Sequence, residues 1–493
     1  MRLAALLQGL ATPDRDVPVR DITLDSREVR KGSVFLACAG ARHHGLDFAA
    51  DVASRGASAI LWEPEEGRRP PELHSDIIVT RVPRLREFAS ELAGRFFGEP
   101  SRHMAVTGVT GTNGKTTTAW LLAQALGATG RRAAYLGTLG SAFEGGLQAG
   151  AFTTPDAVGV QRQLAAFRDR GADCVAMEVS SHALPQHRVA AVRFEAAVFT
   201  NLTRDHLDYH GSMGAYGEAK AALFGFPGLH VRVVNADDAF GTALLDRPGP
   251  GRAVATTQAD GFVPRAGQDW VRATDLVLGS SGTRFMLRSS FGDAQVTSPL
   301  VGRFNVDNLL GVLAVLMSSG HPVDAAVSAV ASASAPPGRL ETFGGGDLPL
   351  VVVDYAHTPD ALDKALAVLR AHCAGRLWCV FGCGGERDAG KRPAMARVVA
   401  DRADAVIVTD DNPRGEDPRA IVRDILAGLA GVTARVVHDR GAAIRTALAE
   451  AATGDVVLVA GKGHEEYQIV GAERLPFSDA EVVRSALRGR EVR

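Results

Sequence analysis

Short apolar runs recur along the chain and alternate with stretches of helical spacing. Continuous apolar runs of this length predict strands that are buried on both faces, as in a parallel sheet. Residues 116–126 have the spacing of a helix, and the first residues of the chain predict a short amphipathic helix. Regular alternation of strand and helix predicts an α/β fold. The runs that predict strands lie at residues 33–37, 59–62, 104–107, 173–177, 196–199, 350–353, 377–381, 405–408 and 456–459.

Two breaks divide this pattern into three segments, and 493 residues correspond to roughly three domains of about 150 residues each. The polar stretch 97–101 contains a proline and ends the first segment, and the sequence Pro-Pro-Gly at 336–338 predicts a hinge before the third. In the third segment, four apolar strands separated by helical stretches predict a doubly wound unit. We therefore predict three domains, at residues 1–99, 100–336 and 337–493.

Charge and cysteine content exclude several classes of protein. The chain has 54 Lys and Arg against 56 Asp and Glu, a net charge of −2, which argues against a nucleic-acid partner because such proteins present a strongly basic face. Five cysteines without a C-x-x-C pair predict the reduced thiols of a cytoplasmic protein. No apolar run reaches the roughly 18 residues that a membrane span requires, so we predict none.

The stretch T-G-V-T-G-T-N-G-K-T-T-T at residues 107–118 is close to a phosphate-binding loop but departs from its strict spacing. The pattern G-x-x-x-x-G-K-[ST] requires glycine at position 109, where the chain has Val109. A predicted strand precedes the stretch and a predicted helix follows it, which is the structural context of a phosphate site. The alternative is a glycine-rich turn that binds no ligand.

The residues of this loop have the chemistry that a nucleotide phosphate requires. Backbone N–H groups and a helix N-terminus bind phosphate, and glycines allow the necessary backbone angles. Lys115 is expected to reach the β- and γ-phosphates, and Thr116 to ligate Mg²⁺. The residues expected to form the cradle are Gly111, Thr112, Asn113, Gly114, Lys115 and Thr116.

Polar residues follow two further apolar strands of the second segment. Glu178 comes directly after one, where a carboxylate commonly holds Mg²⁺ or positions water; the alternative is an exposed surface acid. His206 lies in the polar run 201–210 and is interpreted as a neighbour of metal or phosphate, with a structural histidine as the alternative. Lys220 lies in the helical stretch 217–224, and its residue chemistry alone predicts a solvated lysine without a role.

Four polar loops follow the four strands of the third segment, at residues 354–360, 382–388, 409–414 and 461–465. The carboxyl ends of parallel strands meet at one edge of a sheet, where ligands bind in open α/β folds. Arg387, Arg414 and Glu465 are therefore expected to share a pocket. Two guanidinium groups and a carboxylate suit a ligand that carries both carboxylate and ammonium, such as an amino acid.

Taken together, the motifs resemble those of the Mur ligases. They are G-T-N-G-K-T-T in the loop, E-V-S-S-H at 178–182, N-L-T-R-D-H-L-D-Y-H-G at 201–211, G-R-F-N-V-D-N at 302–308, P-G-R-L-E at 337–341, D-Y-A-H-T-P at 354–359 and D-N-P-R at 411–414. The resemblance extends over essentially the whole chain in order. It includes the loop spacing, and so favours ATP as the ligand of the loop. It implies three α/β domains: a small N-terminal UDP-binding domain, a central P-loop ATPase domain and a C-terminal Rossmann-like domain.

The resemblance also implies roles for individual residues in ATP chemistry. Lys115, His206 and Lys220 would be catalytic, with Lys220 carbamylated so that it supports Mg²⁺. The implied Mg²⁺ ligands are Thr116, Glu178, His206 and the Lys220 carbamate. The implied ATP-binding residues are Gly111, Thr112, Asn113, Gly114, Lys115, Thr116, Thr117, Asn305, Arg339 and Asp354.

Two further sets of residues would bind the other substrates, again on the resemblance. The nucleotide-linked substrate would be held by Leu24, Ser26, Ala41, Arg42, His43, Thr153, Thr154, Ser180, Gln186 and Arg188. The incoming amino acid would be held by Arg387, Asp411, Asn412, Pro413, Arg414, Gly461 and Glu465.

The implied reaction is an ATP-dependent amide ligation in peptidoglycan synthesis. The substrate is UDP-N-acetylmuramoyl-L-alanyl-D-glutamate (UDP-MurNAc-L-Ala-D-Glu), whose D-glutamate side chain would be phosphorylated to an acyl phosphate and then attacked by an amine, releasing phosphate and leaving ADP. The D-N-P-R loop resembles the form that adds meso-2,6-diaminopimelate, because Arg414 can bind the second carboxylate of that amino acid. Cofactors would be ATP and Mg²⁺, and a monomer is expected.

Two alternatives remain open from the sequence. A folylpolyglutamate synthetase shares the fold and the loop chemistry, although the D-N-P-R loop and the run E-V-S-S-H-A-L-P-Q-H-R at 178–188 disfavour it. A non-catalytic ATP-dependent switch or binding module would use the same loop, but its ATP hydrolysis would not depend on both a UDP-linked peptide and an amino acid.

Overall fold

The computed structural model describes residues 1–40, 43–73, 76–279, 281–429 and 431–491. The chain forms two compact units. The first comprises Met1–Thr256 and Pro264–Asp269, and the second comprises Thr257–Val263 and the chain from Trp270 onward. The domain boundaries predicted near residues 99 and 336 stay predictions.

The first unit begins with a small parallel sheet. Its strands, in spatial order, are β1 (Asp21–Thr23), β2 (Ser33–Ala37), β3 (Ala59–Trp62) and β4 (Ile78–Arg81). The accompanying helices are α1 (Leu3–Leu6), α2 (Ala49–Ser54) and α3 (Leu85–Phe96), with 3₁₀ turns at Ser26–Glu28 and Gly45–Phe48. Leu36 and Leu61 of the sheet pack with Leu92 of α3 in one apolar core.

The same unit contains a larger sheet built around the predicted phosphate loop. Its strands in chain order are β5 (Ala105–Thr110), β6 (Ala133–Gly137), β7 (Gly140–Phe143), β8 (Gly146–Gln148), β9 (Cys174–Glu178), β10 (Phe194–Phe199), β11 (Val231–Asn235) and β12 (Arg252–Thr257). The spatial order is β12-β11-β10-β5-β9-β6-β7-β8, parallel except for the antiparallel pairs β6–β7 and β7–β8.

Helices and 3₁₀ turns connect these strands. They are the turn Pro100–Arg102, α4 (Lys115–Ala128), α5 (Ala157–Asp169), α6 (Leu207–His210), α7 (Met213–Ala221), the turn Ala222–Gly225 and α8 (Ala239–Leu245). Because β5 lies between β9 and β10 and runs parallel to both, the loops that follow these strands meet at one edge of the sheet. The candidate site of this unit lies at that edge.

The second unit starts with an antiparallel group of strands and two helices. The strands are β13 (Asp269–Gly279), β14 (Gly282–Ser289) and β15 (Ala294–Ser298), and the helices are α9 (Arg303–Ser318) and α10 (Val323–Ala331).

A six-stranded sheet follows. Its strands in chain order are β16 (Glu341–Gly344), β17 (Leu350–Asp354), β18 (Leu377–Phe381), β19 (Ala405–Val408), β20 (Ala434–Val436) and β21 (Val456–Ala460). The spatial order is β16-β17-β21-β18-β19-β20, with only β16 antiparallel to its neighbour. The helices are α11 (Pro359–Arg370), α12 (Lys391–Arg402), α13 (Pro418–Leu426), α14 (Arg440–Glu450) and α15 (Asp479–Glu491), and β22 (Tyr467–Val470) and β23 (Glu473–Pro476) form a hairpin.

The continuous apolar runs of this sheet arise because both of its faces are covered. Val352 and Leu458 belong to one apolar cluster, whereas their chain neighbours Val351 and Val457 belong to another. Successive side chains of a strand point to opposite faces, so each residue of the run is buried on one side or the other. This confirms the doubly wound arrangement predicted for the third segment.

One buried ion pair connects two helices of the second unit. Arg440, the first residue of α14, donates from Nε and Nη2 to the two carboxylate oxygens of Asp479, both at 2.7 Å. Both side chains are inaccessible to solvent. Such a pair is stable only because it is bidentate and because each partner neutralises the other.

The predicted strands are confirmed. The runs at 33–37, 59–62, 377–381 and 405–408 coincide with observed strands, and the others differ by a few residues at their ends. The strands β1, β4, β6 to β8, β11 to β16, β20, β22 and β23 were not predicted. The part of the chain that the structure describes contains no helix with both the length and the apolar character needed to cross a membrane.

Candidate active site

The predicted phosphate loop connects β5 to α4. Gly111 has a φ of +150° and Gly114, which caps α4, a φ of +83°. A Cβ on Gly111 would lie 1.8 Å from Thr200 Oγ1, so only glycine fits there. The neighbouring strand end holds the loop, since Thr200 Oγ1 donates to the Asn113 carbonyl at 2.6 Å and the Asn113 N–H donates to Asn201 Oδ1 at 2.9 Å. The cradle is therefore built without a glycine at position 109.

Lys115 folds back over this loop. Its Nζ donates to the carbonyl oxygens of Gly111 and Thr112, both at 2.8 Å. Burial lowers the pKa of Lys115, and the negative charges of Glu178 and Asp205 act in the opposite direction. The ammonium group thus lies at the mouth of the loop, where a phosphate bound by the backbone amides would meet it.

Glu178 ends β9 and is fully buried, so the alternative of an exposed surface acid is wrong. Its Oε1 accepts hydrogen bonds from Tyr135 Oη at 2.6 Å and the Thr138 N–H at 2.8 Å. Its Oε2 accepts from the hydroxyls of Thr116 and Thr138, both at 3.0 Å. The carboxylate is thereby fixed against the first turn of α4.

Thr116 and Glu178 fit a magnesium ion that is shared with phosphate. Both offer oxygen ligands, which Mg²⁺ prefers, and the two oxygens lie 3.0 Å apart. Within the described ranges, no group of three or more His, Cys, Asp or Glu side chains is placed to hold a metal ion by itself. Mg²⁺ commonly binds through one or two protein oxygens together with substrate phosphates, and this arrangement matches that mode.

Lys220 is buried, so its expected place in solvent is wrong. It lies on α7 with 1% of its surface exposed, and its Nζ donates to the Gly111 carbonyl at 2.6 Å. The Nζ also lies 4.3 Å from the centre of the Tyr216 ring. Burial, together with the positive charge of Lys115, lowers the pKa of Lys220 to about 6, although Asp205 opposes the shift. The amine is therefore neutral at pH 7.

His206 lies next to two other histidines. It precedes α6 as the N-cap residue with a φ of +50°, and its half-exposed ring lies 4.9 Å from that of His182 between centroids. The ring of His210 lies 5.4 Å from that of His182, and its Nε2 lies 3.0 Å from Ser181 Oγ. Burial and neighbouring positive charges lower the pKa of His182 and of His210. His182 and His210 received no role from the sequence, although both lie in the polar runs that were singled out.

The residues predicted to bind the muramoyl peptide form one hydrogen-bonded chain. Thr154 Oγ1 accepts from the Ser180 N–H at 3.0 Å, and the Thr154 carbonyl accepts from Arg188 Nη1 at 2.7 Å. Arg188 also donates to Gln186 Oε1 at 2.6 and 2.9 Å. Thr153 Oγ1 lies within hydrogen-bond distance of Thr138 Oγ1, at 3.0 Å. The structure thus brings these predicted residues together.

A cavity of about 360 Å³ lies beside this chain. Leu24, Gln186 and Arg188 line it, so a residue predicted to contact uridine and two predicted to contact the peptide share one cavity. Arg86 lines it too and was not predicted. Ser26 begins the 3₁₀ turn next to Leu24, and the ring of His43 lies 6.1 Å from that of Phe48. Ala41 and Arg42 lie outside the described residues.

The remaining residues predicted to bind ATP belong to the second unit. Asn305 Nδ2 donates to the Val301 carbonyl, and its Oδ1 accepts from Asn308 Nδ2, both at 2.8 Å. Asp354 accepts from the N–H groups of Ala356 at 2.9 Å and Leu340 at 2.8 Å, and burial raises the pKa of this carboxyl. The guanidinium of Arg339 lies 5.8 Å from the centre of the Tyr355 ring.

The loops after β18, β19 and β21 meet at one edge of the second unit. Arg414 Nη1 donates to the Gly385 carbonyl at 2.8 Å, and the Gly385 N–H donates to the Asn412 carbonyl at 3.0 Å. A side-chain carbon at Gly384 would lie 3.0 Å from Arg414 Nη1 and 3.8 Å from Arg387 Cγ, so both arginines border this glycine. The structure thus places both arginines at one edge, and the pocket predicted for Arg387, Arg414 and Glu465 stays a prediction.

The other predicted amino-acid contacts border the same loops. Asn412 Nδ2 donates to Glu465 Oε2 at 2.9 Å, and Pro413 is buried between Asn412 and Arg414. A Cβ at Gly461 would lie 2.6 Å from Asp411 Oδ2, so the glycine leaves room for that carboxylate. Lys462 is fully buried and bonds to Asn412 and Glu465. It was missed, although it lies within a loop that the sequence had marked.

Three protein-family models of the Mur ligases match consecutive parts of the chain. The "Mur ligase family, catalytic domain" matches residues 18–97, the "Mur ligase middle domain" residues 109–316, and the "Mur ligase, glutamate ligase domain" residues 338–463. The chain is also 48% identical over 490 residues to the UDP-N-acetylmuramoyl-L-alanyl-D-glutamate--2,6-diaminopimelate ligase of Pseudomonas aeruginosa, with 99% of each chain covered. The chain belongs to the Mur ligase family.

Solved structures agree with this membership. The structure of a UDP-N-acetylmuramoyl-L-alanyl-D-glutamate--2,6-diaminopimelate ligase matches with a TM-score of 0.74 and 36% identity over 96% of each chain. A MurF ligase from Thermotoga maritima in complex with ADP matches with a TM-score of 0.57 and 20% identity, over 96% of this chain and 99% of that one. The second match shows a common fold alone, and its ADP shows that a family member binds this nucleotide. The Mur ligase architecture implied by the motifs is thereby confirmed.

The neutral amine of Lys220 predicts a specific dependence of stability on pH. Folded Lys220 releases its proton above pH about 6, whereas the unfolded lysine keeps it up to about pH 10.4. Between these values the unfolded state binds more protons, so the free energy of unfolding rises with pH, by about 1.4 kcal/mol per unit from this group at most. We expect Lys220→Met to reduce that slope. Urea unfolding at several pH values in bicarbonate-free and metal-free buffer measures it, and parallel curves for both proteins would contradict the assignment.

Proposed function

We propose that this Mur ligase adds meso-2,6-diaminopimelate to the D-glutamate side chain of UDP-MurNAc-L-Ala-D-Glu in peptidoglycan synthesis, with conversion of ATP to ADP and phosphate. The observation that carries the proposal is the edge of the first unit, where the loop amides, Lys115 and Thr116 meet the buried Glu178. The relative from Pseudomonas aeruginosa that is 48% identical over 99% of both chains is a 2,6-diaminopimelate ligase, which supports the choice of substrates.

The first chemical step activates a poor electrophile. A carboxylate resists attack by an amine, and transfer of the γ-phosphoryl group of ATP converts it to an acyl phosphate. Negative charge on the transferring group is stabilised by the loop N–H groups and by the Lys115 ammonium. Arg188, Gln186 and Thr154 hold the peptide end of the substrate in position, because their mutual hydrogen bonds leave little rotational freedom.

Magnesium and a modified lysine complete this part of the proposal. Thr116 and Glu178 would hold Mg²⁺, with His206 nearby, and the ion supplies charge neutralisation on the phosphates when it is bound. Lys220 would carry a carbamate, which forms when the neutral amine adds to CO₂ and a proton is released to solvent. The lowered pKa of Lys220 supports this, because most of the amine is unprotonated at pH 7.

The second step forms the amide. The amine of the incoming amino acid attacks the acyl phosphate carbonyl, the C–O bond to phosphate breaks, and the amine proton is lost to solvent or a nearby base. Arg414 would bind the distal carboxylate of meso-diaminopimelate bidentately, with Arg387, Asn412, Asp411 and Glu465 around the rest of the amino acid. Water must be excluded during this step, because it would hydrolyse the acyl phosphate.

The alternatives differ in their dependence on substrate. A folylpolyglutamate synthetase would extend a folate, and an ATP-dependent switch would hydrolyse ATP without a peptide acceptor. The near-complete match to a diaminopimelate ligase supports neither. The monomeric state and the cytoplasmic location expected from the sequence stay predictions.

Replacement of Lys115 tests the ATP chemistry. Wild type is expected to release ADP only when UDP-MurNAc-L-Ala-D-Glu and meso-diaminopimelate are both present. Lys115→Ala removes a phosphate-neutralising charge from a water-poor site, which costs about 3 kcal/mol of transition-state stabilisation, a loss of about 100-fold in rate. The control Lys364→Ala changes an exposed lysine of α11 and is expected to keep full activity. Near-normal turnover by Lys115→Ala would refute the assignment.

The carbamate on Lys220 has its own test. Wild type equilibrated with ¹³C-bicarbonate is expected to show a carbamate resonance in its NMR spectrum that weakens as the pH falls below about 6, because the protonated amine cannot react. Lys220→Ala lacks the resonance and loses ligation, and short carboxylic acids are expected to restore part of the activity by supplying the missing anionic oxygen. An active protein whose Lys220 is unmodified would rule the carbamate out.

Replacement of Arg414 tests which amino acid the enzyme adds. L-Lysine lacks the distal carboxylate and would leave Arg414 without its anion, so we expect kcat/KM for L-lysine to be lower by about 10³-fold or more. Arg414→Ala and Arg414→Lys are both expected to lose most activity with meso-diaminopimelate, because a lysine cannot reproduce the bidentate contact. Steady-state kinetics with both amino acids decides. An unchanged KM for meso-diaminopimelate in Arg414→Ala would contradict the contact.

A further inference from the structure

Lys462 is a buried lysine at the edge of the proposed amino-acid site. It follows β21 and has no solvent-exposed surface. Its Nζ donates to Asn412 Oδ1 at 3.0 Å and to Glu465 Oε2 at 2.9 Å. A buried charge persists only when it is paired and hydrogen-bonded, and here both partners are residues proposed to touch the amino acid. Lys462 itself lies behind them.

The orientation of the Asn412 amide depends on this lysine. Asn412 Oδ1 accepts from Lys462 Nζ at 3.0 Å and from the Ile469 N–H at 2.9 Å. A flipped amide would direct its NH₂ group at these two donors, which is unfavourable. Its Nδ2 must therefore face Glu465, and it donates to Oε2 of that carboxylate at 2.9 Å.

The same contacts define which oxygen of Glu465 is available to a ligand. Oε2 accepts two hydrogen bonds, from Asn412 and Lys462. Oε1 makes no hydrogen bond within the ranges that the structure describes, and 18% of the side-chain surface is exposed. One oxygen is thus saturated by the protein and the other remains free for an ammonium group. Without Lys462, one of the two fixed donors disappears and the carboxylate can rotate.

We propose that Lys462 is a positioning residue for the incoming amino acid, which acts through Asn412 and Glu465 and does not touch the ligand. It holds the Glu465 carboxylate in an orientation in which Oε1 can accept from an ammonium group of the amino acid. This inference rests on the proposed function, because it takes the edge formed by the loops after β18, β19 and β21 as the amino-acid site.

Lys462→Met tests this proposal, because it should raise KM for one substrate and leave KM for the other two nearly unchanged. The variant is expected to raise KM for meso-diaminopimelate by about tenfold or more, with KM for ATP and for UDP-MurNAc-L-Ala-D-Glu within twofold of wild type. Lys462→Gln keeps one donor at the end of a shorter chain and is expected to recover part of the loss. The matched control is Lys364→Met, an exposed lysine of the same unit. An unchanged KM for meso-diaminopimelate, or an equal rise for all three substrates, overturns the inference.

A double-mutant cycle shows whether Lys462 acts through Glu465. If it does, the double variant Lys462→Met/Glu465→Gln binds meso-diaminopimelate about as weakly as Glu465→Gln alone, because the oriented carboxylate is already lost. If the losses of meso-diaminopimelate binding in the two single variants add up in the double variant, the inference is overturned. Circular dichroism and thermal unfolding identify a variant that does not fold, in which case the cycle is run with Lys462→Gln. Wild type that fails to ligate meso-diaminopimelate refutes the proposed function itself, a result distinct from either outcome above.

Discussion

Two lysine side chains converge on one carbonyl oxygen, and the chemistry of the first unit depends on that convergence. The Gly111 carbonyl accepts from Lys115 Nζ at 2.8 Å and from Lys220 Nζ at 2.6 Å. Burial, and after it the positive charge of Lys115, lowers the pKa of Lys220 to about 6, so Lys220 is the lysine that loses its proton. The loop thereby has one cation for phosphate and one nucleophilic amine beside it.

In the second unit, the buried positive charges are stabilised by pairing with carboxylates. Arg440 is paired with Asp479, and Lys462 is paired with Glu465. Because each positive charge has a carboxylate partner, several ionised groups can lie next to an apolar sheet. Arg414 is held differently. Its backbone adopts a φ of +53° and is fixed by the hairpin, through its N–H to the Ile469 carbonyl at 3.0 Å and its carbonyl to the Gly471 N–H at 2.7 Å. A residue in this unfavourable conformation is held there by its surroundings, as is common at binding sites.

Nine parallel strands could be predicted from the sequence, because an apolar run between two polar segments depends only on local pattern. The burial of Lys220 escaped such an analysis. Its helix has no distinctive pattern, and the lysine is buried because the loop after β5 and the ring of Tyr216 cover it, which are contacts distant in sequence. Strand β8 escaped for a different reason: it is exposed throughout, so it lacks the apolar run that marks a buried strand. Lys462 was overlooked because its role depends on a contact with Asn412, which is distant in sequence.

Val109 shows why the spacing of the phosphate loop differs from the strict pattern. This residue is fully buried in β5 and pairs in register with Glu178 of β9 and Val198 of β10. The strand continues through Thr110, so the chain leaves the sheet only at Gly111. A glycine at position 109 would remove a side chain that is buried in the core, at a point where the strand has not yet ended. A sequence search that insists on the usual interval between the two glycines will therefore pass over nucleotide-binding proteins in which the strand simply runs further.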